Sequence, residues 1–211
     1  MRHFWANNAL SIVLVLLFAA FWVGQALTGW AVHNEELQTL NQHTLGWGQY
    51  LTSAHFWSST AENWESEFLQ MAAFVTLTIY LRQRGSAESN PFPDEQTAEE
   101  RQKDADDAAT PGFWRRNSLS VVLGGLFLGS LGLHLVSSWQ DYNLQEQARG
   151  QDALSLGAFL GQPEFWFESF QNWQSEFLAV VAIVVLTIFL RQVGSSQSKA
   201  LSDPNDKTGD A

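Results

Sequence analysis

Cysteine is missing altogether from this 211-residue chain, which excludes disulfides, thiol nucleophiles, iron–sulfur ligation and cysteine–zinc sites. Basic residues are scarce: 11 Lys and Arg stand against 22 Asp and Glu, a formal net charge of −11 at pH 7. No nucleophile–base pair, metal motif or phosphate-binding glycine loop can be found, so enzyme is the least favoured class. The histidines His3, His33, His43 and His55 show no metal-ligand spacing such as His-x-x-x-His, and His134 falls inside an apolar run. No metal, no cofactor and no nucleic-acid partner is therefore expected.

What the chain does contain is itself, twice. Phe4-Trp5…Asn8…Leu10-Ser11 returns as Phe113-Trp114…Asn117…Leu119-Ser120, and Asn63-Trp64-Glu65-Ser66-Glu67-Phe68-Leu69 returns as Asn172-Trp173-Gln174-Ser175-Glu176-Phe177-Leu178. Every match from Phe4 to Ser86 lies at one displacement, 113 − 4 = 109, and roughly 34 of about 83 aligned positions are identical. The division that follows is repeat 1 over 1–86, a linker over 87–112, repeat 2 over 113–195 and a tail over 196–211.

Each repeat reads as a hairpin of membrane helices. Ala9 to Ala31 and Leu119 to Trp139 match the ~20 apolar residues needed to cross a hydrocarbon layer of ~30 Å. The return runs, Phe68 to Leu81 and Phe177 to Leu190, are shorter and must start near Asn63 and Asn172 to cross, which draws Glu67 and Glu176 into the outer part of the helix. The predicted fold is thus an all-α membrane protein with four transmembrane helices, about 9–31, 60–83, 118–140 and 169–192, as two tandem parallel hairpins. A secretory signal peptide at Met1-Arg2-His3 is disfavoured, because the same start recurs at Phe113 in mid-chain.

Charge placement orients the spans. Arg2, Arg82, Arg84, Arg101, Lys103, Arg115, Arg116, Arg191, Lys199 and Lys207 fall on one side of a four-span arrangement and only Arg149 on the other, so both termini and the linker are expected in the cytoplasm. The linker carries eight Asp and Glu between Ala87 and Thr110 with hardly an apolar residue and is expected to be a disordered tether, as is the tail. In the outward loops Leu37, Leu40, Trp47 and Leu51, and more weakly Leu144, Leu154, Phe159 and Leu160, recur at helical spacing, which predicts helices on the membrane surface. Trp5, Trp57, Trp64, Trp114, Trp166 and Trp173 read as interfacial aromatics anchoring the protein in the lipid bilayer.

The candidate polar site is Asn63 with Glu67 and their copies Asn172 with Glu176, since residues four apart share a helix face and Thr78 and Thr187 return to it. A carboxylate within hydrocarbon is a functional-site hypothesis by default, suited to proton coupling or cation binding. The competing reading puts both glutamates at the interface, as charge caps for the helix N-termini. His134, aligned with Gln25, is a further candidate, although helix-to-helix hydrogen bonding accounts for a polar group at both places. Gly125-x-x-x-Gly129 gives the third span a small-residue face for close packing, within the bundle or in a homo-oligomer, where the first span has Leu16 and Ala20.

The pattern of Phe-Trp at the start, Asn-Trp-x-Ser-Glu-Phe before the second span and Leu-Arg-Gln-x-Gly-Ser after it resembles a family of uncharacterised bacterial integral membrane proteins built from this duplicated hairpin. The resemblance implies a prokaryotic cytoplasmic membrane location and brings no activity. Because Glu65 is replaced by Gln174 in the second copy, Glu67 and Glu176 are expected to matter more than Glu65. The function expected is that of a structural or interaction protein, with a small transporter or ion or proton channel using the Asn/Glu pairs as the alternative.

Overall fold

The computed structural model describes residues 2–209, and of these all side chains except those of Arg2, His3 and Ala6. The expectations for Met1, the Arg2 and His3 side chains, Asp210 and Ala211 lie outside the described residues.

The described residues form helices and turns only, in the order α1 (Arg2–Thr39), α2 (Trp47–Tyr50), α3 (Ala54–Tyr80), α4 (Ala98–Ala109), α5 (Phe113–Ala148), α6 (Leu156–Phe159) and α7 (Pro163–Phe189). The two leading helices run well past their apolar stretches: α1 has 38 residues, about 57 Å at 1.5 Å each, and α5 has 36. They stop where the backbone can turn left-handed. Asn41 (φ 55°) and Gly150 (φ 79°) each follow the helix end, and the bonds Gln42 N–H to Leu37 O (2.8 Å) and Gln151 N–H to Glu146 O (2.9 Å) close it in the six-to-one manner of a Schellman cap. After the loop that follows α5, Pro163 occupies the first position of α7, where its missing N–H costs nothing.

Asn7–Thr39, Phe113–Ala148 and Pro163–Phe189 are long and apolar enough to cross a membrane. The expected fourth, α3, is not among them: Glu62, Glu65 and Glu67 occupy its middle and leave only Phe68 to Tyr80 as an apolar run. The expected surface helices shrink to single turns, α2 and α6, because Leu37 and Leu144 belong to α1 and α5 themselves.

The chain divides into two compact units, residues 1–60 with 133–162 and residues 61–132 with 163–211. In the first, Ala26, Tyr50 and Phe56 form a core against Trp22, Trp30, Leu45, Leu51 and Trp57. The loop after α1 is pinned by a clamp: Trp30 Nε1 (2.7 Å) and Asn34 Nδ2 (3.0 Å) both donate to Leu45 O, and Leu45 N–H donates back to Asn34 Oδ1 (2.7 Å). The same three bonds recur 109 residues on, from Trp139 (2.8 Å) and Asn143 (3.0 Å) to Leu154 O and from Leu154 N–H to Asn143 Oδ1 (2.8 Å).

In the second unit the linker and tail, both expected to be disordered, have structure. Thr97 and Glu100 form a reciprocal capping box that starts α4, a helix of which no residue is buried. Arg84 pairs with Glu95 (3.0 Å) and lies over the Phe92 ring (4.4 Å), folding the start of the linker onto the end of α3. The tail returns to the same place: Lys199 is buried and its ammonium donates to the carbonyls of Gly85, Asn205 (3.1 Å) and Lys207 (2.8 Å). Gly85, at φ 82°, is required there, since a Cβ would collide with the Asn205 carbonyl.

Candidate functional site: the carboxylates of α3 against α7

Glu62 and Glu65 lie three apart on α3, hence on one face, and in the second unit that face meets Asn172 and Trp173 of α7. Trp173 Nε1 donates to Glu65 Oε1 at 2.8 Å, and Asn172 Nδ2 donates to Glu62 Oε1 and to the Glu168 carbonyl (3.1 Å). Glu65 is fully buried, flanked by buried Ala61 and Ser66. A carboxylate withdrawn from water persists only where donors replace its hydration, and the indole N–H is such a donor. Trp173 is itself held edge-on by Phe170 (ring centroids 5.5 Å) and Phe127 of α5 (6.4 Å), so the donor is fixed before it meets the acid.

The residues singled out from the sequence are placed differently. Asn63 and Glu67 are exposed, and Asn172 and Glu176 half-buried. Glu176 and Glu67 are within electrostatic reach of each other, so the two acids are brought together, though not buried together. Thr78 Oγ1 donates to its own helix at Phe74 O (2.9 Å), while buried Thr187 pairs with Ser86 Oγ (3.2 Å) and accepts from Ala87 N–H (3.3 Å). His134 is fully buried in the first unit. Gln25, its aligned position, donates to Ser59 (3.3 Å) and Thr60 (3.4 Å), a bond from α1 to α3 of the kind anticipated. Among the interfacial tryptophans Trp5, Trp114 and Trp166 are exposed and Trp57, Trp64 and Trp173 half-buried. Identity between the halves pointed to Glu67 and away from Glu65, yet the buried acid is Glu65. The available signal was asymmetry: Glu62 and Glu65 align with Gln171 and Gln174, so one return helix carries acids where the other carries amides.

A cleft of about 790 Å³ in the second unit is lined by Arg82, Lys103, Arg115 and Arg116 together with Glu100, Asp104 and Asp107. Four cations and three carboxylates largely neutralise one another, so the cleft has no strong preference for an anion or a cation.

Long helices without strands among the described residues, three of them able to cross a bilayer, define the class as all-helical and membrane-compatible. The chain belongs to the family described as Domain of unknown function (DUF6766), whose model matches residues 1–210. No curated protein and no solved structure matches it.

Proposed function

We propose that the protein is a multi-pass structural or interaction protein of the bacterial cytoplasmic membrane, with four spans in two tandem hairpins and both termini inside. The observation that carries this reading is the mutual satisfaction of polar groups between α3 and α7: Glu65 accepts from Trp173 and Glu62 from Asn172. Groups bonded to each other serve helix association in lipid rather than a path for solute. The same bonds let α3 accompany α7 through the bilayer, since its 27 residues span about 40 Å and its acids Glu62 and Glu65 are bonded to a partner helix.

Other features agree. Only 6%, 17% and 6% of the apolar windows of α1, α5 and α7 are buried, leaving surface suited to acyl chains. Of the Lys and Arg residues only Arg149 falls in an outward loop of the four-span arrangement, in keeping with a positive-inside bias. The recurrence of the Trp–Asn–Leu clamp at a spacing of 109 supports the duplicated architecture. A homo-oligomer through Gly125 and Gly129 belongs to the same reading, because a Cβ at either would meet nothing within 4 Å and the face is open to a second copy.

Absence of native cysteine makes the topology directly testable. Single cysteines at the exposed positions Gln42, Ala108, Gln151 and Ser196 are treated with a membrane-impermeant maleimide. Gln42→Cys and Gln151→Cys label in right-side-out vesicles, Ala108→Cys and Ser196→Cys only in inverted ones. Labelling of Ala108→Cys together with Gln42→Cys would mean that α3 does not cross and would remove the four-span reading.

A further inference from the structure

The first unit contains a second polar cluster that the membrane reading does not use. His33 and Glu36 lie one turn apart near the end of α1, and His55 is the second residue of α3. The loop joining them is held by the Leu45 clamp and by Tyr50, almost wholly buried in the core, so the two histidines are brought together by fixed structure. One ligand atom from each of His33, Glu36 and His55 lies within 4.8 Å of the others. His33 is 9% exposed, yet its Nδ1 is buried without a hydrogen-bond partner, 3.7 Å from Glu36 Oε2. The two imidazoles stack at 4.2 Å between centroids, and the Tyr50 hydroxyl lies 3.4 Å from His55 Nδ1, leaving Nε2 of that ring available.

A buried nitrogen with no partner is costly, and a second imidazole and a carboxylate converging on it are the ligand types that imidazole-seeking divalent metals use. We propose that His33, Glu36 and His55 bind a divalent transition-metal ion of the zinc type, with Tyr50 orienting His55 from behind. Two histidines and one carboxylate form a three-ligand set that leaves a coordination position for water or an external ligand. Ligands on a tetrahedral ion with bonds of about 2.0–2.1 Å stand about 3.3 Å apart, so the cluster must draw in slightly; Glu36 is exposed and turns freely to do so. Asp141 adds negative charge within electrostatic reach of His33. The site belongs to one half of the chain only, because the positions 109 further on are Tyr142, Gln145 and Glu164.

The test uses the full chain without a polyhistidine tag, stripped with chelator, reconstituted in nanodiscs and titrated calorimetrically with Zn²⁺. The expected result is about one ion per chain, weakened roughly tenfold or more in Glu36→Gln and abolished in His33→Gln/His55→Gln, with Co²⁺ showing the visible bands of a tetrahedral site. Glu36→Gln alters an exposed side chain and leaves the fold intact, which its circular dichroism verifies. Absence of uptake by the native chain, or uptake that is unchanged in both variants, overturns the proposal.

Discussion

Removing the indole N–H that faces Glu65 is the sharpest perturbation of the α3–α7 contact. In Trp173→Phe the ring stays between Phe127 and Phe170 while the 2.8 Å bond to the buried carboxylate disappears. Bonds to charged groups contribute about 1.5–3 kcal/mol in soluble proteins, and polar contacts between membrane helices about 0.6 kcal/mol on average with a ceiling near 1.7. Because Glu65 is wholly buried and ionisable, the upper part of the membrane range applies, and about 1.5 kcal/mol is roughly a tenfold change in the folding equilibrium. Glu65→Leu leaves the indole N–H without this acceptor, so it too is destabilising, and the double variant loses less than the sum. A double-mutant cycle followed by circular dichroism during reversible unfolding in mixed micelles should give a coupling of about 1–1.5 kcal/mol. A coupling under about 0.3 kcal/mol would refute the assignment of this bond as a structural link between the helices.

Asn34→Ala and Asn143→Ala each delete two of the three clamp bonds, and about 1–2 kcal/mol of destabilisation should appear as faster hydrogen exchange at the Leu45 or Leu154 amide respectively, leaving the other loop unchanged. Gly29→Ala places a methyl group against the Tyr50 hydroxyl and should both lower the melting temperature and weaken any Zn²⁺ binding by displacing Tyr50 from His55; retention of both properties would show that the approach is not tight. Thr97 donates to Glu100 from its amide and its hydroxyl, which holds that carboxyl below the usual glutamate range of about 4.3; the folded-state value is depressed, so the cap is intact above that range and lost as pH falls through the lowered value, and exchange across Ala98–Arg101 should quicken only there. Liposomes containing the native chain should carry no proton or cation flux above empty vesicles; a flux abolished by Glu67→Gln with Glu176→Gln would restore a conducting role for that pair.

The length and apolarity of the helical runs were legible in the sequence because both are local: a helix advances 1.5 Å per residue, and a run of Leu, Val and Phe such as that in α1 needs no partner to declare itself. Gly85 and Gly194 of the repeated Leu-Arg-Gln-x-Gly-Ser motif adopt left-handed backbone, in turns beyond helices that end at Tyr80 and Phe189. What tertiary structure alone decided is which acid is buried. Glu65 meets Trp173 across 108 residues, and only the packing of α3 on α7 determines that this face, one residue pair away from Glu67, points inward. The linker and tail gain structure for the same reason: their composition forbids a core of their own, but Arg84 pairs with Glu95 of the linker and the Gly85 turn accepts from Lys199 of the tail, partners from outside each segment. His33 and His55 are unremarkable at a separation of 22 residues and become neighbours because the Leu45 clamp folds the loop back, an arrangement that no spacing rule along the chain encodes.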